Sequence, residues 1–213
     1  MAVRPEAVDD GRTCMNLHVI STGRQSPAEL CLRASAIEPW VDYLHLREKQ
    51  WSARETAETI ETLNRLGFPK EKLVINDRVD VAAAKGVPHV QLAGHSLSVQ
   101  DVKRGFPSLH VSCSVHSAEE AVAAEAEGAD AVLFGHVFET NSKPGLPGRG
   151  LGALKTVTGA VSLPVIAIGG LTPENAARLK HYGASGAAVL SGILLAENAE
   201  EAVRRYRYQL ERR

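Results

Sequence analysis

Apolar and polar positions alternate along this chain in a repeating way. After Met15, short apolar runs of strand length recur about eight times, at Leu17–Thr22, Val41–Arg47, Leu73–Asn76, His89–Leu92, His110–Val115, Ala131–Phe138, Val165–Ile168 and Gly186–Leu190. The stretches between them carry helix punctuation. Ser26-Pro27-Ala28-Glu29 offers an N-cap followed by proline at the first helical position. Ser52-Ala53-Arg54-Glu55 and Ser117-Ala118-Glu119-Glu120 fit the capping box, and Thr172-Pro173-Glu174-Asn175 starts a helix in the same way. Alternating strands and helices predict a parallel sheet with crossover helices. Eight such units give an α/β fold, a single (β/α)8 TIM barrel over residues 15–213, with an open doubly wound sheet as the less common arrangement.

Composition changes this picture little. Of 213 residues, 44% are hydrophobic and 23% charged, as in an ordinary globular domain, and residues 1–14 read as a disordered leader without an apolar signal core. The formal net charge of −1 gives no reason to expect a nucleic-acid partner. No apolar run approaches the roughly 20 residues of a membrane span, so a cytoplasmic location is expected. Cys14, Cys31 and Cys113 make neither a disulfide framework nor a zinc pattern.

Side chains at the carboxyl ends of barrel strands line the active face. In Asp42–Lys49, Leu44 and Leu46 share one face and would pack on helices, while His45, Arg47 and Lys49 share the other and suggest an anion site. The same pattern also fits a solvated strand end. Val165–Thr172 runs a buried strand into Gly169 and Gly170 and then a capped helix, and Ser191-Gly192 repeats the theme one unit later. Glycines there let the backbone approach a phosphate, although tight turns alone would also select them. His136, near the end of strand six, has the acid–base chemistry of an imidazole, yet a lone histidine on an apolar strand is more often a core residue. Ser112, Ser114 and His116 share a face of strand five, Asn76-Asp77-Arg78 follows strand three, and the loop Thr140–Gly150 with Lys143 and Arg149 reads as a flap over the mouth. His18, His89 and His110 sit early in their strands and look structural.

These segments resemble the thiamine phosphate synthase superfamily, and within it the TenI-type thiazole tautomerases. The resemblance rests on Leu44–Lys49, Val74–Asp80, Ser114–Ser117, Phe134–Thr140, Ile168–Gly170 and Ser191–Ile193, spread in order over nearly the whole barrel. Synthases of this superfamily join a thiazole phosphate to a pyrimidine pyrophosphate with magnesium held by aspartates. Asp77 corresponds to the first, whereas Gln91-Leu92-Ala93-Gly94-His95-Ser96 puts Ser96 where the second is usual. Synthases also tend to have proline where His136 stands. The resemblance therefore implies a metal- and cofactor-independent thiazole tautomerase, an isomerase that aromatises a carboxythiazole phosphate by a proton shift. In that reading His136 shuttles the proton, Arg47 and Lys49 hold the carboxylate, and Gly169, Gly170, Ser191 and Gly192 hold the phosphate. Asn76, Ser114 and Lys143 complete the substrate pocket, and a homodimer is possible. The alternatives are a magnesium-dependent thiamine phosphate synthase and a non-catalytic sensor of a phosphate ligand.

Overall fold

A computed structural model describes residues 15–211, so the expectation of a disordered leader over residues 1–14 lies outside them. Eight parallel strands close into a barrel in sequence order. They are β1 (Asn16–Ile20), β2 (Tyr43–Leu46), β3 (Leu73–Asn76), β4 (His89–Leu92), β5 (His110–Val115), β6 (Ala131–Gly135), β7 (Val165–Ile168) and β8 (Gly186–Val189). The α-helices are α1 (Pro27–Ile37), α2 (Ala53–Arg65), α3 (Val79–Lys85), α4 (Val99–Gly105), α5 (Ala118–Ala126), α6 (Gly150–Ala160), α7 (Pro173–Ala176), α8 (Ser191–Leu194) and α9 (Ala199–Glu211). No described helix is long and apolar enough to cross a membrane.

Strand alternation divides the interior into two regions. Outward residues such as Leu17, Val19, Leu44, Leu46, Ile75, Val90, Val111, Phe134 and Val189 are buried under the helices in the main core. A smaller inner cluster, Ile20, Leu133, Ile166 and Ala188, fills part of the barrel itself. The rest of the barrel interior is polar, with His18, His45 and Gln91 all buried there. Branched aliphatic layers usually fill this space, and the imidazoles in their place leave a cavity of about 600 Å³ at the amino-terminal end.

Of the four helix starts read from the sequence, three follow the expected capping chemistry and one departs from it. Ser26 accepts from the Glu29 N–H, and Ser52–Glu55 and Thr172–Asn175 form complete boxes. At α5 only half the box exists. Ser117 accepts from the Glu120 N–H, but the Glu120 carboxylate accepts from the His116 N–H at 2.7 Å, one residue further back. The helix begun at Pro173 is also short, passing into a 3-10 segment over Ala177–Tyr182.

The amino-terminal end is tied by a buried ion pair. Arg207 on α9 is 2% exposed and donates to Asp42 at 2.6 Å, to the Trp40 carbonyl at 2.9 Å and to the Met15 carbonyl at 3.4 Å. Asp42 also accepts from the Leu17 N–H at 2.7 Å, so one carboxylate joins the last helix to the first two strands.

Candidate functional site

The carboxyl ends of the strands surround a pocket of about 620 Å³. On the β2 side the wall carries His45 from the strand and Arg47 and Lys49 from the segment that follows it, since β2 ends at Leu46 rather than at the expected Arg47. Asn76 enters from the end of β3, Ser114 from β5, His136 and Lys143 from the segment after β6, and Gly169, Gly170, Ser191 and Gly192 from the ends of β7 and β8. The ten residues assigned to the site from the sequence thus line one pocket, together with the buried His45. Gln91 and Thr140 line it too, as does Arg24, which the sequence reading did not name. Arg24 lies in the loop from β1 to α1, so its place after a barrel strand was the available signal.

Backbone geometry at Gly169 and Gly170 explains both glycines. Their φ values are +104° and +64°, in the region that disfavours side chains. A Cβ on Gly169 would crowd His136, and one on Gly170 would lie within 2.8 Å of Phe138 Cβ. Gly192 has a different reason to be small, since its Cβ would come 2.5 Å from the Tyr206 hydroxyl that donates to the Leu171 carbonyl. Thr172 caps the next helix, and Asn175 Nδ2 donates to the Gly170 carbonyl at 2.9 Å, which steadies the turn. Such a turn offers free backbone N–H groups to an anion.

The segment after β6 is anchored rather than open. The Arg149 N–H donates to the His136 carbonyl at 2.9 Å, the Gly150 N–H to the Val137 carbonyl at 2.9 Å, and Arg149 Nε to the Gly135 carbonyl at 3.0 Å. His136 is 6% exposed, and its Nε2 lies 3.3 Å from the Leu146 carbonyl. A carbonyl only accepts, so Nε2 carries the proton in the neutral ring. Its Nδ1 is buried without a partner.

Below the pocket floor, His18 Nδ1 lies 2.9 Å from His45 Nε2. Tyr43 stacks on His18 at 4.7 Å between ring centroids and meets His89 edge-on at 5.1 Å. Burial pushes the His18 imidazole down to about 3, helped by the repulsion of His89 and Arg207, and it holds His45 well below the ordinary histidine range. Both rings are neutral at pH 7. When the chain unfolds they regain the ordinary value near 6.5, so between about pH 6.5 and 3 the unfolded state binds more protons. Their contribution is complete above that window and falls as pH drops through it. Urea unfolding between pH 7 and 5 is expected to lose up to ~1.4 kcal/mol per pH unit for each such histidine below about pH 6. His18→Leu should flatten the slope, and an unchanged slope would refute the assignment.

Comparison with known proteins now bears on this pocket. A family described as Thiamine monophosphate synthase (TMP-TENI) matches residues 17–193. The chain belongs to this family. Thiamine-phosphate synthase of Pyrococcus furiosus is 34% identical over 197 residues, covering 92% of this chain and 95% of its own. That of Chlorobium luteolum is 37% identical over 193 residues, covering 88% and 89%. The solved structure of thiamine phosphate pyrophosphorylase from Pyrococcus furiosus matches with a TM-score of 0.82 at 33% identity, over 95% of this chain and 98% of that one. A 3-hexulose-6-phosphate synthase, at 18% identity and a TM-score of 0.71, shares the fold.

These relatives overturn the tautomerase expectation. Chains similar to this one over nearly their whole length are named as synthases, which are transferases, so the isomerase class is corrected with it. The proton shuttle assigned to His136 belonged to that reaction. What the family pocket shows of His136 is a ring that holds the Leu146 carbonyl beside the glycine turn.

The magnesium that the family resemblance brings fits the donor set poorly. Asp77, at φ 65°, lies 3.8 Å from His95 Nε2, and Ser96 Oγ accepts from the Ala93 N–H at 2.9 Å. Among the described residues no three His, Cys, Asp or Glu side chains converge on a metal position. A hard cation prefers several oxygen ligands, and here one carboxylate stands beside an imidazole and a hydroxyl already engaged by the backbone.

Proposed function

We propose that this chain is a thiamine phosphate synthase, joining a thiazole phosphate to a pyrimidine pyrophosphate with release of pyrophosphate. The observation that carries this reading is the presence of two anion-binding sets in one pocket. The glycine turn after β7 and the Ser191–Gly192 start of α8 suit one phosphate through backbone groups. Arg24, Arg47, Lys49 and Lys143 supply four further positive charges from the segments after β1, β2 and β6. A single phosphate ester does not call for both sets, whereas a phosphate and a pyrophosphate together do.

The bond that forms joins the two heterocycles, and the bond that breaks frees pyrophosphate, on which negative charge grows as it leaves. Fixed cations aimed at that charge favour the transition state more than the ground state. Arg47 is suited to the bridging role because its planar fork binds two phosphate oxygens at once. Asn76, Gln91 and Ser114 provide neutral hydrogen-bonding groups for the heterocycles, and Gln91 is held by Ser112 at 2.7 Å and Ser114 at 3.2 Å. On this reading the partners are two small phosphorylated molecules.

The direct experiment incubates the protein with both substrates and measures thiamine phosphate and pyrophosphate. Product that depends on both substrates is expected, and none above buffer would reject the synthase. Arg47→Ala should lower kcat/KM by on the order of 100-fold or more, in line with loss of a charged partner. An Arg47→Ala enzyme within a factor of three of wild type would remove Arg47 from the pyrophosphate site.

A further inference from the structure

The polar barrel interior does more than leave space beneath the pocket. His45 lines the pocket, and its Nε2 is engaged with His18 Nδ1 at 2.9 Å. Its Nδ1 has no protein partner and is absent from the sealed-off polar atoms of the described residues. His18 is different, because its Nε2 is sealed from solvent with no partner at all. In a neutral ring one nitrogen carries the proton and the other is bare. Either tautomer of His18 makes the bond to His45, so the sealed nitrogen decides between them. A buried N–H without an acceptor loses its whole hydrogen bond with water, and such orphan donors are rarer in folded proteins than under-used acceptors.

The same molecule supplies a parallel. His136 Nε2 faces a carbonyl, which can only accept, so the sealed and partnerless Nδ1 of that ring is necessarily the bare nitrogen. Applied to His18, this puts the bare nitrogen at Nε2 and the proton at Nδ1. His18 then donates to His45 Nε2, and the His45 proton is forced to Nδ1, the nitrogen left for a molecule in the pocket. Tyr43, stacked on His18 with 28° between the planes, fixes the ring that makes this choice.

We infer that His18 is a positioning residue that locks His45 as a neutral Nδ1–H donor, so that the pocket floor selects a heteroaromatic ring presenting a hydrogen-bond acceptor. The tautomer stands on the geometry alone; its use, to seat the pyrimidine of the pyrophosphate substrate, rests on the synthase reading. Among the described residues His18 is the partner of His45 Nε2, and the cavity beside the two rings is lined by Tyr43, His89, Gln91, His110 and the Asp130 carboxylate. Asn at position 18 can place an amide N–H close to where His18 Nδ1–H lies, while Leu fills similar space and donates nothing.

The test is ¹⁵N NMR of the histidine rings in the free protein at pH 7, with steady-state kinetics on wild type, His18→Asn and His18→Leu. His45 is expected as the Nδ1–H tautomer in wild type and in His18→Asn, and released from it in His18→Leu. KM for the pyrimidine pyrophosphate should rise about tenfold in His18→Leu with kcat nearly kept, as for one neutral hydrogen bond, and His18→Asn should restore it. His45 found as Nε2–H in the wild type overturns the inference without need of any variant. A tautomer that switches in His18→Leu with KM unmoved overturns the recognition role. A wild type with the expected tautomer but no synthase turnover supports the positioning and overturns the reaction instead.

Discussion

Arg207→Met is expected to lower stability by about 3 kcal/mol, which for a domain of this size is a fall of roughly 6–12 °C in Tm. The size follows from what is left behind. Arg207 is almost fully enclosed, and its guanidinium serves Asp42, Trp40 and Met15 together. Removing it takes the guanidinium from a carboxylate that is only 21% exposed and keeps the Leu17 N–H, and two carbonyls lose their donor. Methionine covers similar apolar area, so the loss measures unpaired polar groups more than a cavity. Asp42→Asn keeps an acceptor for the Leu17 N–H and should cost less. The double variant should lose clearly less than the sum of the singles, because each single already breaks the interaction the two side chains share. Additive losses, measured by urea unfolding, would show that the pair does not act as a unit. Since α9 is the last element and Asp42 opens the second strand, this pair also joins distant parts of the chain around the start of the barrel.

The barrel was legible because its signals are local and repeated. Strands β3, β4, β5 and β7 have the bounds that their apolar runs predict, while β6 stops at Gly135, before the expected Phe138. Past Gly135 the chain turns into an anchored loop whose bonds are made to residues 13 or 14 positions later, a tertiary pattern that periodicity does not encode. His45, Arg47 and Lys49 do line one pocket, although only His45 lies in β2 and the other two follow its end, and Gly169 and Gly170 line the same pocket. The pairing of His18 with His45 was out of reach, because it depends on the register of β1 against β2, where His18 lies opposite Tyr43 and one step below His45. The reaction was misread for a related reason. Ser96 and His136 depart from the synthase pattern at two positions, and those two residues were given more weight than the similarity spread over the whole chain.

Gly170→Ala is expected to lower stability by about 2–5 kcal/mol and to raise KM for the thiazole phosphate by at least tenfold. Two costs add. The residue sits at φ +64°, where a Cβ costs roughly 1–2 kcal/mol. The added methyl would also press on the Glu139 carbonyl and on Phe138, and overpacking of that kind costs about 1–3 kcal/mol. Neither neighbour can yield alone, because both belong to the segment that leads into Lys143 and is bonded back to β7 through the Phe138 N–H and the Gly169 carbonyl at 3.0 Å. Relief of the clash therefore moves the glycine turn, the Lys143 segment or both, and each lines the proposed phosphate pocket. Gly152→Ala is the control. It lies within α6 with nothing within 4 Å of its Cβ, so the same change should stabilise by about 0.5–1 kcal/mol without altering KM. If Gly170→Ala behaved like Gly152→Ala in both stability and KM, the turn after β7 would not be the phosphate site.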